Sequence, residues 1–374
     1  MEFLLAGLVS VAMACFILKT KSYHLKYTAK GHSSAARQSA HRTPTPRIGG
    51  IAIFSGFSVG TIMLPVESAS FSISLMLSCI AVFAGGLGED IGRNVSPKAR
   101  LILSFISALC AIAIFRAWIG PLGSPYLNWI TSTLLGATLF TVLISGGSAH
   151  ATNLIDGLNG LAMGVCMLIA GGLAYLAYSV SDAVILNISS LLLCSILGLF
   201  VFNFPFGKIF LGDAGAYTLG HVLIWLSILL VARNPEISPY AILMIFFWPI
   251  MDMIFAIFRR VVNRKPIGSP DRLHFHQLVM RGLGLIYFNA NQRHITNPLA
   301  TALVLPMTAV PIIAAQFLWQ DIGQSAVALL FFGALFIVTY RSLYIIIRQR
   351  ASTRHLRGTK THGIRTDHGV TPAE

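Results

Sequence analysis

The sequence predicts an all-α protein, a polytopic membrane bundle of about eleven (10–11) transmembrane helices. Hydrophobic residues make up 55% of the 374 residues and charged residues only 11%, with a mean hydropathy of +0.74. Soluble domains carry roughly 25% charged residues. Apolar runs of about 18 or more residues recur along the chain, and a run of that length crosses a bilayer as a helix. The charges are concentrated in the segments between these runs.

The predicted spans follow from the apolar runs, taken in order. The first run lacks a basic amino-terminal region and a small-residue cleavage site, so we interpret it as a retained span rather than a signal peptide. The five cysteines lie in apolar runs without CxxC spacing and are interpreted as buried small hydrophobes. The spans are 2–18, 48–66, 71–88, 101–117, 129–148, 161–180, 183–204, 216–232, 240–258, 299–319 and 323–347.

The distribution of basic residues predicts the orientation. Of the 27 Lys and Arg residues, only Arg116 and Arg233 fall in one set of alternate loops, which are short and plain. Basic residues gather in cytoplasmic loops, so the amino terminus is expected outside and the carboxyl terminus in the cytoplasm. This accounts for the net charge of +14 without nucleic acid. The cytoplasmic loops are 19–47, 89–100, 149–160, 205–215 and 259–298, followed by a tail.

We therefore predict one transmembrane domain, 1–347, and a basic cytoplasmic tail, 348–374. The tail is rich in Arg, His, Thr and Gly, a composition typical of disordered segments. A transporter normally places polar residues near the midplane of the bilayer. Here the polar clusters collect at one face, which favours chemistry at the membrane–cytosol boundary.

Two cytoplasmic loops carry acids. In 89–100, Glu89 and Asp90 end one span and Lys98 precedes the next. This arrangement suits metal or phosphoryl chemistry, although an ordinary interfacial charge cluster would look the same. In 149–160, polar residues recur among glycines, which predicts a broken helix end lining a cavity. A purely structural turn is the alternative. The polar residues that we select there are Asn153, Asp156 and Asn159.

Two further segments carry mixed polar groups. Asn203–Gly215, NFPFGKIFLGDAG, adds Asn203, Lys208, Phe210 and Asp213. Lys208 suits a phosphate and Phe210 a flat ring, but either residue could simply anchor the loop at the interface. The other segment, PDRLHFHQL, adds Arg272, His274 and His276. Asp252 lies roughly 10 Å deep in a span and needs a buried partner.

These groups together predict a magnesium-dependent reaction on a phosphorylated, partly lipidic substrate. Mg²⁺ is usually held by one or two carboxylates plus substrate phosphates. The alternatives are a transporter or flippase of a lipid-linked sugar, or a CDP-alcohol-type phosphatidyltransferase. The first needs more charges deep in the spans, and the second needs a repeated acidic pattern that is missing after Asp156.

Five ordered motifs resemble a known family. HRTPTPRIGG, GED…SPKAR, NLIDGLNGLA, NFPFGKIFLGDAGAYTLG and PDRLHFHQL are similar to motifs of the polyprenyl-phosphate N-acetylhexosamine-1-phosphate transferases, the MraY- and WecA-like enzymes. The resemblance spans about residues 40–285 and is closest to the branch that starts O-antigen or other surface polysaccharides. It implies a bacterial inner-membrane enzyme that uses a UDP-N-acetyl sugar, undecaprenyl phosphate and Mg²⁺ or Mn²⁺. It leaves the sugar and the oligomeric state, such as a homodimer, open.

The resemblance also implies roles for individual residues. Asp213 matches the magnesium-binding aspartate, and we add Asp156 as a metal ligand. Glu89 and Asp90 match an acidic pair that orients the lipid phosphate or accepts a proton. The nucleotide sugar is assigned to Asn153, Asp156 and Asn159, and uracil to Asn203 and Phe210. Phosphate or sugar contacts are assigned to His274, His276 and the basic residues Arg42, Arg47, Lys98, Lys208 and Arg272.

The sequence departs from the family pattern at four points. Glu89 replaces an Asp, Asn159 stands where much of the family has Asp, and His150 stands where it often has Asn. The histidine motif is also short. We expect direct in-line attack by the lipid phosphate on the β-phosphorus of the UDP-sugar, with a covalent aspartyl intermediate as the alternative.

Overall fold

The computed structural model describes residues 1–28, 44–266, 273–288 and 292–363, with the backbone alone over 351–363. This part of the chain is helical, with no strand. Its helices are α1 (Glu2–Lys19), α2 (Lys21–Thr28), α3 (Gly49–Ile62), α4 (Val66–Ser78), α5 (Ile80–Asp90), α6 (Pro97–Phe115), α7 (Pro125–Thr131), α8 (Leu134–Leu154), α9 (Leu161–Ser179), α10 (Ala183–Asn203), α11 (Gly212–Arg233), α12 (Pro239–Ile245), α13 (Phe247–Val262), α14 (Phe275–Ile286), α15 (Arg293–Leu318) and α16 (Ile322–Gly363).

The prediction of an all-helical membrane bundle is confirmed. Within the described residues, eight helices are long and apolar enough to cross a bilayer, and the number rises to ten when each of two bent pairs counts as one span. Every predicted span overlaps one of these or α3. That helix, at 14 residues, is shorter than the roughly 20 residues that a full crossing needs. The predicted inside and outside assignment of the termini stays a prediction.

Two predicted single spans are bent pairs, and each bend has a local cause. The pair α12 and α13 is bent by 82°. Pro249 lies just after this break, and its missing N–H cannot donate to the carbonyl of Ile245. The pair α4 and α5 is bent by 52° at Cys79. There Val82 N donates to the Ser107 hydroxyl of α6 (3.0 Å), a side-chain insertion into the helical hydrogen-bond ladder of the kind that kinks helices.

Helix α11 forms the centre of the bundle. Most of its apolar length, 94%, is buried inside the protein, against 11% for α16 at the periphery. It packs against α8 on one side and α5 on another, and also contacts α3, α9 and α6. Because α11 begins at Gly212, its amino-terminal end presents the GDAG sequence where α5 and α8 both end. The packing of these helices therefore brings the predicted polar loops to one end of the bundle.

Part of the predicted tail is helical. Helix α16 continues to Gly363, past the predicted start of the tail at residue 348. The rest of the tail, 364–374, lies outside the described residues, as do Arg42 and Arg272.

Candidate active site

Asp213 is the centre of the site. It lies in the first turn of α11 and is 5% exposed. Its Oδ1 accepts hydrogen bonds from Arg47 Nη2 (3.3 Å) and Asn153 Nδ2 (3.2 Å). Its Oδ2 is paired with Arg100 Nη1. Groups from the 44–48 segment, the end of α8 and the start of α6 thus meet on one carboxylate.

Asp90 holds the start of α11 in place. Its carboxylate accepts hydrogen bonds from the backbone amides of Asp213 (2.8 Å) and Ala214 (2.9 Å). The first amides of a helix have no partner within the helix, and a carboxylate there also interacts favourably with the helix dipole. Gly212 has φ +78°, and a Cβ on it would strike Arg47 O and the Asp90 carboxylate. Only glycine fits between these two groups.

Two further acids, Asp156 and Glu89, lie beside this centre. Desolvation raises the pKa of half-buried Asp156 to about 7; the cation Arg47 opposes this rise and the anion Asp213 adds to it. Glu89 has a buried Oε2 without a hydrogen-bond partner, as has His150 at its Nε2. His150 packs edge-on against Tyr217. The site therefore contains closely spaced acids and buried polar atoms that a ligand could satisfy.

Arg100, rather than Lys98, reaches the centre. Ser96 caps α6 by accepting from Ala99 N (3.2 Å), with Pro97 at the first helical position. Lys98 and Arg100 are then about 200° apart around the helix. Arg100 points to Asp213, and Lys98 is exposed. Arg100 is not among the site residues predicted from the sequence. The capping pattern at Ser96 is the sequence signal that could have identified it.

The loop after α10 is built around Asn203. The side-chain oxygen of Asn203 accepts a hydrogen bond from Gly160 N (2.5 Å), and its Nδ2 donates to Ile209 O (2.6 Å). Both polar atoms of this side chain are therefore bonded to backbone groups. Phe210 is half-buried, and its backbone pairs with Pro46 O and Gly49 N. Lys208 is exposed, near the Phe206 ring. The predicted uracil and phosphate contacts of these three residues remain predictions.

Asp252 organises the histidine motif. Its carboxylate contacts His274 Nδ1 (3.0 Å) and accepts from Phe275 N (3.1 Å) at the start of α14. His276 Nδ1 is 3.9 Å from the same carboxylate. Burial lowers the pKa of His276 to about 4, despite the opposing charge of Asp252. His276 is therefore neutral at pH 7.

The histidine motif meets the Asp213 centre through the loop 155–160. His276 Nε2 lies where a Cβ on Gly157 would approach to 2.6 Å, so the two segments are in close contact. Asp156 precedes Gly157, and Asn153 just before the loop bonds to Asp213. Asn159 is buried in the same loop and bonds to Pro205 O. Asn153, Asn203 and the histidine motif thus meet at this loop, whereas Lys98 and Lys208 are exposed.

The acids fit a magnesium ion whose coordination shell is completed by substrate phosphates and water. The described residues contain no cluster of three or more His, Cys, Asp or Glu side chains able to hold a metal alone. Mg²⁺ seldom requires such a cluster, because substrate phosphates and water supply most of its ligands. Asp213 and Asp156 could supply the protein ligands, and a cation between them would offset the desolvation and the weaker repulsion by Asp213 that raise the pKa of Asp156.

Comparison with known proteins agrees with this picture. Residues 72–231 match the family model described as glycosyl transferase family 4. A probable undecaprenyl-phosphate N-acetylglucosaminyl 1-phosphate transferase of Bacillus subtilis is 30% identical over 246 residues, 66% of this chain and 68% of the relative. The undecaprenyl-phosphate alpha-N-acetylglucosaminyl 1-phosphate transferases of Yersinia pestis and Escherichia coli K12 are each 27% identical, over 71% of this chain and 72% of theirs. The chain belongs to glycosyl transferase family 4, the undecaprenyl-phosphate sugar 1-phosphate transferases.

Proposed function

We propose that the protein transfers an N-acetylhexosamine 1-phosphate from a UDP-sugar to undecaprenyl phosphate, releasing UMP and forming an undecaprenyl-diphospho-sugar. The observation that carries the proposal is the convergence of Arg47, Arg100 and Asn153 on the buried carboxylate of Asp213. A centre with cations and carboxylates at the end of a membrane bundle suits the joining of a soluble diphosphate to a lipid phosphate. The names of the relatives support the same reaction.

The reaction needs charge neutralisation more than a strong base. An oxygen of the lipid phosphate attacks the β-phosphorus, which carries the sugar. The bond from that phosphorus to the bridging oxygen breaks, and its electron pair leaves with UMP. A phosphate monoester has a second pKa near ~6, so the nucleophile is mostly dianionic at neutral pH. Arg47 and Arg100 would offset the repulsion between the two anions.

The carboxylates divide into a structural and a ligand-facing set. Asp90 uses its oxygens on the amides of α11, so it fixes Asp213. Glu89, with an unpartnered buried oxygen, is then the acid of the pair that would accept the remaining proton of a monoanionic lipid phosphate. Asp213 and Asp156 would hold Mg²⁺, which supplies positive charge to the diphosphate oxygens when bound. His276, as a neutral imidazole, would hydrogen-bond to phosphate or sugar.

We further propose UDP-N-acetylglucosamine as the donor, because the relatives carry that sugar in their names. In this proposal the site faces the cytosol from a bacterial inner membrane, an orientation that the distribution of basic residues favours. The product would start an O-antigen or another cell-envelope polysaccharide.

The test is UMP release by membranes that contain the protein, supplied with undecaprenyl phosphate, Mg²⁺ and a panel of UDP-N-acetyl sugars. We expect release that requires the lipid phosphate, stops with EDTA and returns with Mg²⁺ or Mn²⁺. Failure of every sugar to yield UMP, or release without the lipid, would contradict the proposal. A trapped phospho-sugar enzyme would contradict direct attack.

A further inference from the structure

The loop 155–160 is tied to the rest of the protein by side chains that are distant in sequence. Locally, Asp156 N bonds to Asn153 O and Gly157 N to Ile155 O. Two of the backbone amides that follow donate to side chains of other helices. Gly160 N donates to Asn203 at the end of α10, and Asn159 N donates to Asn297 Oδ1 on α15 (2.8 Å).

Asn159 is the point at which three segments meet. Its backbone carbonyl accepts from Thr301 Oγ1 (2.8 Å), one turn beyond Asn297 on α15. Its side-chain Nδ2 donates to Pro205 O (2.8 Å) in the loop after α10. Asn159, Asn297 and Thr301 are 4%, 2% and 0% exposed. These bonds are therefore shielded from water, where a missing partner is costly.

The hydrogen bond to Pro205 O requires a side-chain carboxamide at position 159, and a carboxylate could not make it. Its NH₂ group can donate to a carbonyl, whereas an ionised carboxylate at this position can only accept. Aspartate would bring two acceptors, its own oxygen and Pro205 O, face to face. The asparagine that departs from the family pattern thus has a structural explanation in this chain.

We propose that Asn297 and Thr301 are positioning residues for the nucleotide-sugar loop, and that Asn159 is the group they hold rather than a substrate ligand. The inference rests on the proposed function, together with the assignment of this loop to the nucleotide sugar that the family resemblance implies. Through Asn159, α15 fixes the backbone three residues after Asp156. Helix α15 lies beyond residues 72–231, so this contribution comes from outside the part that matches the family model.

The experiment compares substitutions on α15 that remove or keep each hydrogen bond. Thr301→Val keeps the side-chain shape but removes the donor, Thr301→Ser keeps the hydroxyl, and Asn297→Leu removes the acceptor. Thr308→Val is the matched control, because Thr308 is a buried threonine on the same helix whose hydroxyl donates to Leu305 O within that helix.

We expect Thr301→Val and Asn297→Leu to raise the KM for UDP-N-acetylglucosamine on the order of tenfold, since each leaves a buried backbone group unpaired. The KM for undecaprenyl phosphate should stay within about twofold, as general damage to the fold would not separate the two substrates. Thr301→Ser and Thr308→Val should behave like the wild type. Asn159→Asp should be impaired like Thr301→Val, whereas a substrate-binding residue that matches the family pattern would tolerate aspartate.

Hydrogen exchange of the peptide that covers 153–161 provides a readout independent of turnover. We expect faster exchange in Thr301→Val and Asn297→Leu than in Thr308→Val. Unchanged exchange and unchanged KM values in both variants would overturn the inference, as would an equal rise in KM for both substrates. If the wild type releases no UMP, the proposed function fails, and the exchange result alone then decides whether α15 holds the loop.

Discussion

Helix α11 joins two clusters that are built from the same residue types, Asp, Arg and Asn, but differ in their surroundings. At its start, Asp213 meets Arg47, Arg100 and Asn153. At its end, about 30 Å away at 1.5 Å per residue, Arg233 Nε donates to Asp182 (2.7 Å). Asp182 also accepts from Asn234 Nδ2 (3.1 Å) and from Ile185 N (3.2 Å), which caps α10. Both aspartates are 5% exposed.

The difference lies in what surrounds each aspartate. Burial alone would raise the pKa of Asp182, but the hydrogen bonds from Arg233, Ile185 N and Asn234 outweigh it, so the pKa lies below its ordinary value. The neighbourhood of Asp213 instead contains Asp156, whose pKa is raised, and unpartnered atoms of Glu89 and His150. The Asp182 cluster is complete and stabilises the fold. The Asp213 cluster retains buried polar atoms that a ligand could satisfy.

The largest expected effect separates the two aspartates directly. Asp213→Asn should lower UMP release on the order of 10³-fold, because it removes a carboxylate at the reacting phosphates. Asp182→Asn should leave turnover near the wild-type value and lower the midpoint of thermal unfolding, since the ion pair with Arg233 is lost. Turnover in membranes and thermal unfolding of the purified protein measure the two effects.

Near-normal, magnesium-dependent turnover in Asp213→Asn would contradict the assignment of Asp213 to the metal. A large loss of turnover in a folded Asp182→Asn protein would show that the two ends of α11 are not separable in function.

A smaller effect is expected when lysine replaces arginine at each end. Lysine keeps the charge but loses the planar set of donors. Arg100→Lys should reduce kcat/KM by roughly 10-fold to 100-fold with little change in stability, since Arg100 acts on Asp213 and the bound phosphates. Arg233→Lys should keep kcat/KM and cost about 1 kcal/mol of stability, because Arg233 contacts Asp182, Glu67 and the Phe71 ring together.

Kinetic and unfolding measurements on both variants check this pair. The same loss of kcat/KM in both variants would contradict the division of roles.

The smallest effect is a pH dependence at the Asp182 end. A lowered folded-state pKa means that the stability contributed by Asp182 is present above its unfolded value of about 3.9 and is lost as the pH falls through the folded value. The difference in unfolding midpoint between the wild type and Asp182→Asn should therefore be constant from pH 7 to pH 5 and shrink below about pH 4. A difference that persists undiminished at pH 3 would contradict an ion pair as its source.

The sequence was informative wherever the signal was local. Apolar runs located the helices, and the motifs identified Asp213, Asp90 and Asn153, which the structure brings together. Bends within a span were harder to predict, because the bend at Cys79 depends on the hydroxyl of Ser107, which lies on a different helix.

Pairings between distant helices could not be predicted from local patterns. Asn159 is 138 residues from Asn297, and that contact depends on the path of α15. The loops of the Asp182 end are short and looked plain, yet Asp182 and Arg233 form a partly buried ion pair across 51 residues. Lys98 and Arg100 were equivalent as charges until the start of α6 determined which one faces inward.

The burial of α11 has a consequence for how the protein experiences its bilayer. A helix of 22 residues is about 33 Å long, close to the hydrocarbon thickness of roughly 30 Å. When a membrane is thicker or thinner than this, exposed helices adapt by tilting. Helix α16 and other peripheral helices meet the lipid, whereas α11 is enclosed by protein. Hydrophobic mismatch therefore acts on the periphery, and the acids at the start of α11 keep their geometry in membranes of different lipid composition.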